Sequence, residues 1–186
     1  MLNIIDRSAL SLAKSIRSNY TEAASEEVLT FSLTVLLNTV IAIFISVVIA
    51  FFTGNFISVI IFMTGFIVLR MISGGVHLTS SLACCIFSIF IFTLGTHLTL
   101  DYLYIGFTLN CLSIIILLFT APSKIENVSR VDPKHYPILK GAALIIVITN
   151  FFIKSELLSL AYFIQSVLTL PISYTFVHIL ERRSLR

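Results

Sequence analysis

An imidazole and a thiol stand seven residues apart in the stretch Arg70-Met-Ile-Ser-Gly74-Gly75-Val-His77-Leu-Thr-Ser-Ser-Leu-Ala-Cys84. That pair can do nucleophilic catalysis: the base takes the thiol proton and the thiolate attacks a carbonyl. The stretch is also the polar, glycine-broken interruption of an otherwise apolar chain. Gly74-Gly75 disfavours helix continuation and lets the backbone turn sharply. Thr79, Ser80 and Ser81 are N-cap candidates for a following helix. Cys84 then falls in or just after the first turn, where unpaired N–H groups and the positive dipole end favour a thiolate.

The spacing sets a condition. On one continuous helix, seven residues separate the two side chains by about 10.5 Å along the axis. Direct proton transfer needs roughly 3 Å. A His77–Cys84 dyad therefore requires His77 to lie off the helix, in the loop, folded back over the helix start. Cys85 points about 100° around the helix from Cys84, so only one of the two thiols can face His77 well. The plainer reading is that these are interfacial and packing residues, because free Cys commonly acts as a small buried hydrophobe. That plainer reading suits Cys85 and Cys111. Arg70 reads either as a topology charge or as a group that orients a carboxylate or stabilises an oxyanion. Backbone N–H groups near Gly75 or at the following helix start are the candidate oxyanion donors. No third, orienting carboxylate is visible beside His77. Glu126, Asp132 and Glu181 only share its side.

The elements that position this stretch belong to a membrane. Of 186 residues, 58% are hydrophobic and 11% charged, against about 25% charged in a soluble domain. Mean hydropathy is +1.04. The small excess of Lys and Arg reads as topology and headgroup signals, with no nucleic-acid footprint. The three cysteines make no disulfide framework. The first twenty residues, broken by Asp6, Arg7, Lys14 and Arg17, read as an amphipathic interfacial helix and as no signal peptide. Leu2, Ile5, Ala9, Leu12, Ala13 and Ile16 share its apolar face, opposite Arg7 and Lys14.

Six apolar segments follow, near 28–52, 56–69, 82–100, 103–121, 138–153 and 157–180. A span takes about 20 residues, so the second and fifth are short. The fifth carries Lys140, whose ammonium can snorkel from a helix end. With a cytoplasmic N-terminus and six crossings, Arg7, Lys14, Arg17, Arg70, Lys124, Arg130, Lys134, Lys140, Arg182, Arg183 and Arg186 lie inside. Only Lys154 lies outside, a bias of eleven to one. A re-entrant second segment lowers the best split to eight against four. The charges thus favour six crossings with both termini and the 70–82 loop inside, where thiols stay reduced. The expected fold is an all-α polytopic membrane bundle in a single domain, 1–186. It has an interfacial helix over 1–22 and a transmembrane bundle over 28–180.

The stretch resembles the accessory gene regulator B family of bacterial membrane endopeptidases, which mature quorum-sensing propeptides. The resemblance rests on Arg70, Gly74-Gly75, His77 and Cys84 at the family's spacing after the second apolar segment. Ala121-Pro122 and the polar loop after it are also similar to the family. Val76 stands where the family usually has an aromatic residue. The resemblance implies Cys84 as nucleophile and His77 as its base, with no cofactor and no metal. It implies a bacterial cell-membrane location, an AgrD-like propeptide and membrane lipids as partners, and a homodimer. The product would be a thiolactone or lactone ring.

In the 122–140 loop, Lys124, Arg130, Lys134 and Lys140 read as positive-inside topology or as a dock for an acidic propeptide tail. His97 and Asp101, four apart, read as an interfacial pair. His135 and His178 read as loop and headgroup residues. Asn38, Asn110, Asn150 and Gln165 are expected to hydrogen-bond helices together. No zinc, dinucleotide or P-loop motif occurs. The rival functions are a small peptide exporter without covalent chemistry and a noncatalytic scaffold.

Overall fold

Side-chain caps set where the helices begin, and glycines or tight turns set where they stop. The computed structural model describes residues 3–20, 22–76, 78, 80–98, 100–123 and 132–184, with side chains described as far as residue 179 in the last helix. Helix α1 (Ile4–Asn19) starts behind Asn3, whose side chain accepts the Asp6 N–H at 3.0 Å. Helix α2 (Glu26–Thr53) starts behind Ser25, carries Glu26 and Glu27 in its first turn, and stops at the left-handed Gly54. The two carboxylates complement the positive dipole end. Helix α3 (Phe56–Ser73) stops at Gly74. Helix α4 (Ser81–Leu94) begins behind Ser80 and runs into a 3-10 turn at Gly95–His97.

A π-helical turn, Tyr102–Gly106, feeds α5 (Phe107–Thr120). A 3-10 turn, Pro133–His135, feeds α6 (Tyr136–Ile153). Helix α7 (Glu156–Val167) starts behind Ser155, and α8 (Pro171–Ser184) leaves it at a 71° bend.

The chain is therefore all-α. Four stretches are long and apolar enough to cross a membrane: Glu26–Thr53, Phe56–Ser73, Tyr102–Thr120 and Pro133–Ile153. They become five if α7 and α8 count as one broken span. Six uninterrupted spans are not reached, and the weak segments are not the ones the apolar runs suggest. The second segment extends to 18 residues because the helix continues through Arg70 to Ser73. The third, Ser81–His97, is shortened where α4 tightens at Gly95. The sixth breaks where Thr169 and Leu170 donate only three residues back, to Ser166 and Val167, just before Pro171. Pro171 has no N–H with which to continue the ladder.

Hydrogen bonds fix which ends lie together. At one end, Gly75 N–H donates to Ser123 O at 3.1 Å and Val76 N–H to Leu168 O at 3.0 Å. There too Lys140 Nζ donates to Leu118 O at 3.0 Å. That end gathers the finishes of α3, α5 and α7 with the starts of α4 and α6. At the other end Asn55 Nδ2 meets His97 Nδ1 at 3.2 Å, and Tyr102 donates to Asn150 O at 2.9 Å. His97 and Asp101 do not form the expected pair: Asp101 instead caps the π turn, accepting from Leu103 and Tyr104 N–H.

Helix α7 lies between α3 and α5, and α1 packs along α2 and touches α4. The apolar stripe of α1 is divided. Ile5, Ala9 and Ala13 are buried against protein, while Leu12 and Ile16 remain exposed. One core cluster holds Phe62, Phe66 and Phe92, with the last two rings edge-on at 5.4 Å. The second surrounds Leu69, Leu117, Val147 and Tyr162. Outward-facing Val40, Phe44, Val48, Phe51 and Phe52 of α2 are exposed, a surface that suits lipid rather than water.

Polar residues tie the helices, as expected of three of the four amides. Asn150 Nδ2 reaches Asn110 Oδ1 (3.3 Å), Ser155 O and Ser159 Oγ (both 2.9 Å), and its Oδ1 accepts from Ser155 N–H. Asn38 differs: its buried Oδ1 has no partner. Asn150→Leu strands several of these groups at once and is expected to cost about 1–3 kcal/mol. Thermal unfolding in detergent should show a lowered Tm, and an unchanged Tm would show that the cluster contributes nothing.

Candidate functional site

The helix that carries Cys84 is built from its cap. Ser80 Oγ accepts the Ala83 N–H at 3.4 Å, and Ser80 O accepts the Cys84 N–H at 3.0 Å. Cys84 is thus the fourth residue of α4. It is half-buried, whereas Cys85 is buried with Sγ 3.9 Å from Asn38 O. The two thiols diverge as helical geometry requires. All three cysteines are free.

Gly74 ends α3 with φ 69° and ψ −148°, a region essentially reserved for glycine. A Cβ there would run into the carbonyl oxygen of Ser123. Gly75 follows at φ 130°, with Gln165 Nε2, Leu168 O and Arg70 packed around it. The turn at residues 121–123 pairs with this loop as a short parallel bridge, Ser123 N–H donating to Ser73 O at 2.9 Å. Ser123 Oγ also meets Tyr174 Oη at 2.9 Å and donates to Thr169 O at 3.1 Å.

Arg70 closes the loop from inside. Its Nη2 donates to Val76 O at 2.6 Å and its Nη1 to Gln165 Oε1 at 3.3 Å. Its guanidinium carbon lies 6.0 Å from the Phe66 ring centre. The structure thus brings together Arg70, Gly74 and Gly75, and Cys84 lies in the first turns of the helix that follows them. His77 lies outside the described residues, as do Lys124 and Arg130.

One expectation changes. The backbone N–H groups beside Gly75 are already used: Gly74 donates to Arg70 O, Gly75 to Ser123 O and Val76 to Leu168 O. The first-turn amides of α4, at Ser81 and Leu82, have no intrahelical acceptor by helix geometry, so of the two expected sets of oxyanion donors this one remains. Of the basic residues expected as a dock, Lys134 and Lys140 are among the described residues. Lys134 pairs with Asp132 at 3.0 Å, both largely exposed, and Lys140 caps the carbonyl end of α5. The Lys134 backbone N–H, and then its ammonium, hold the Asp132 carboxyl below its usual range.

Sequence reasoning missed Ser123, Tyr174 and Asp6. Asp6 accepts from Ser81 Oγ, and Asn3 Nδ2 donates to that same oxygen at 3.1 Å, so α1 grips the first residue of α4. Only Gln165 gave a signal, as an amide within an apolar run. Among the described residues no three His, Cys, Asp or Glu side chains cluster as a metal site would.

Helices of this length around a glycine turn and a helix-start thiol define a multi-pass α-helical membrane protein. The model of accessory gene regulator B matches residues 6–179 of this chain. The chain belongs to that family, which is linked to quorum-sensing propeptide processing. Comparison with curated proteins and with solved structures finds no match.

Proposed function

We propose that this chain is a membrane cysteine endopeptidase that cleaves a quorum-sensing propeptide at the inner face of the bilayer. The observation that carries the reading is the Gly74-Gly75 turn, closed from inside by Arg70 and leading into the capped helix start that carries Cys84. Family membership supplies the substrate class.

The chemistry follows from the groups. His77 takes the Cys84 proton, and the thiolate adds to a propeptide carbonyl. The oxyanion meets the first-turn amides of α4, with Arg70 as a nearby positive charge. The carbon–nitrogen bond then breaks, and the imidazolium gives its proton to the leaving amine of the C-terminal tail. The thioester that remains on Cys84 is attacked by a Cys or Ser side chain of the same peptide. That attack frees Cys84 and releases a thiolactone or lactone. Exchange of one thioester for another is nearly isoenergetic and calls for no nucleotide. Exclusion of water keeps hydrolysis from winning.

The site end carries Arg70, Lys134 and Lys140, and Lys154 caps the opposite end of α6. This asymmetry supports a cytoplasmic site and cytoplasmic termini. A homodimer belongs to the reading on family grounds alone. The test is proteoliposomes supplied with propeptide and a mass analysis of the product. Ring closure gives an N-terminal fragment lighter by one water than the hydrolysed acid. Intact propeptide after incubation would refute the reading and leave an exporter.

Lys134 keeps its place as a dock for the acidic tail, because an exposed ion pair holds it only weakly. Lys134→Glu is expected to raise KM by about threefold or more while kcat holds, on the scale of a single exposed charge contact. An unchanged KM would remove Lys134 from substrate binding.

A further inference from the structure

We propose that Gln165 is the positioning residue of this site, one buried amide that fixes both the Arg70 guanidinium and the Gly74 turn. The purpose rests on the peptidase reading, whereas the geometry stands by itself. Gln165 is fully buried on α7. Its Oε1 accepts from Arg70 Nη1 at 3.3 Å. Its Nε2 donates to Ser73 Oγ at 2.9 Å and to Gly74 O at 2.7 Å. Every donor and acceptor of the amide therefore points at the end of α3, more than ninety residues away in sequence.

A buried amide in an apolar bundle is costly unless satisfied, and a fully satisfied one specifies a single arrangement. Arg70 on its long flexible stem needs such a fixed acceptor. Val76 O holds one arm of the guanidinium. Gln165 holds the other arm and simultaneously the turn that supplies Val76. The break of the helical ladder after α7 serves the same arrangement, since Leu168 O is left to accept the Val76 N–H. Gln165 thereby governs how the guanidinium sits inside the turn that leads to the Cys84 helix, without touching substrate.

The test is the rate of Cys84 modification by N-ethylmaleimide at fixed pH, in purified full-length protein carrying Cys85→Ala and Cys111→Ala. A cation beside a thiol speeds this reaction by favouring the thiolate. Gln165→Met, which cannot bond Arg70, is expected to slow labelling about tenfold, the scale of one hydrogen bond to a charged group. Gln165→Glu keeps an acceptor for Arg70 but loses the donor to Gly74 O and sets a carboxylate oxygen against that carbonyl, so it too is expected to slow labelling, by about threefold or more. Gln165→Met added to Arg70→Lys should slow labelling no further than Arg70→Lys alone. A merely structural role predicts the opposite sign, since a loosened α4 exposes its thiol and labels faster.

Labelling of Gln165→Met at the parent rate or faster, or effects of the Gln165 and Arg70 variants that multiply, would overturn the proposal. Should Gln165→Met not accumulate, Gln165→Asn withdraws the amide by one methylene and carries the same expectations and the same refutation. The parent protein, incubated separately with propeptide, keeps the two claims apart. Absence of cleavage there sinks the peptidase reading and leaves the labelling comparison decisive for Gln165.

Discussion

Cys84→Ala is expected to lower propeptide cleavage by about a thousandfold or more, because the residue that forms the covalent intermediate has no substitute. The neighbouring thiol cannot stand in. Cys85 is buried toward α2 with its Sγ near Asn38 O, on a different face of the same helix. Cys85→Ala should therefore keep activity within about threefold and cost about 1 kcal/mol of stability, as modest core substitutions do. Cys111 lies on α5, away from the loop, and Cys111→Ala should behave likewise. Cleavage assays on the three variants, each checked for membrane insertion, give the comparison. Loss of activity in the Cys85 variant with activity retained in the Cys84 variant would reverse the assignment.

Gly74→Ala is the second large effect. The residue combines φ 69° and ψ −148° with a backbone carbonyl, that of Ser123, where a Cβ would go. The backbone strain alone costs of order 1–3 kcal/mol, and Ser123 can retreat only by giving up its bonds to Ser73 and Gly75. The turn then opens, Val76 O shifts and Arg70 loses a guanidinium partner. Cleavage is expected to fall by about a hundredfold or more, the scale of a small misplacement near the reacting atoms, with a lowered Tm. Gly141 supplies the control, since nothing lies within 4 Å of its added Cβ. Gly141→Ala in α6 should leave activity unchanged and Tm equal or slightly higher. A Gly74→Ala protein with parental activity and Tm would show that the turn is not fixed as described.

Much of this was legible in the sequence, for reasons that differ by residue. The helix start before Cys84 was readable because Thr-Ser-Ser ahead of an apolar run is local chemistry, and Ser80 proves to be the cap. The glycine turn was readable for the same reason. Span lengths were not. Apolar composition continues through Gly95 and through Leu168–Leu170, while the helical ladder does not. Hydropathy counts residues and is blind to where the backbone turns. The partners of the glycine loop were also hidden. Ser123 and Gln165 meet Gly74 across roughly fifty and ninety residues, and only packing of α5 and α7 against α3 brings them there. Asp6 looked like an interfacial charge because nothing in its neighbourhood foretells Ser81 as a partner.

One measurement bears most directly on Cys84 as a covalent nucleophile. Purified protein is mixed with propeptide, quenched in acid, and weighed intact before proteolytic mapping. The expected result is a mass increase equal to the N-terminal part of the propeptide, mapped to Cys84, released by hydroxylamine, and absent from Cys84→Ala. Free C-terminal tail appearing with no adduct on Cys84 at any time, or an adduct that survives in Cys84→Ala, would contradict it.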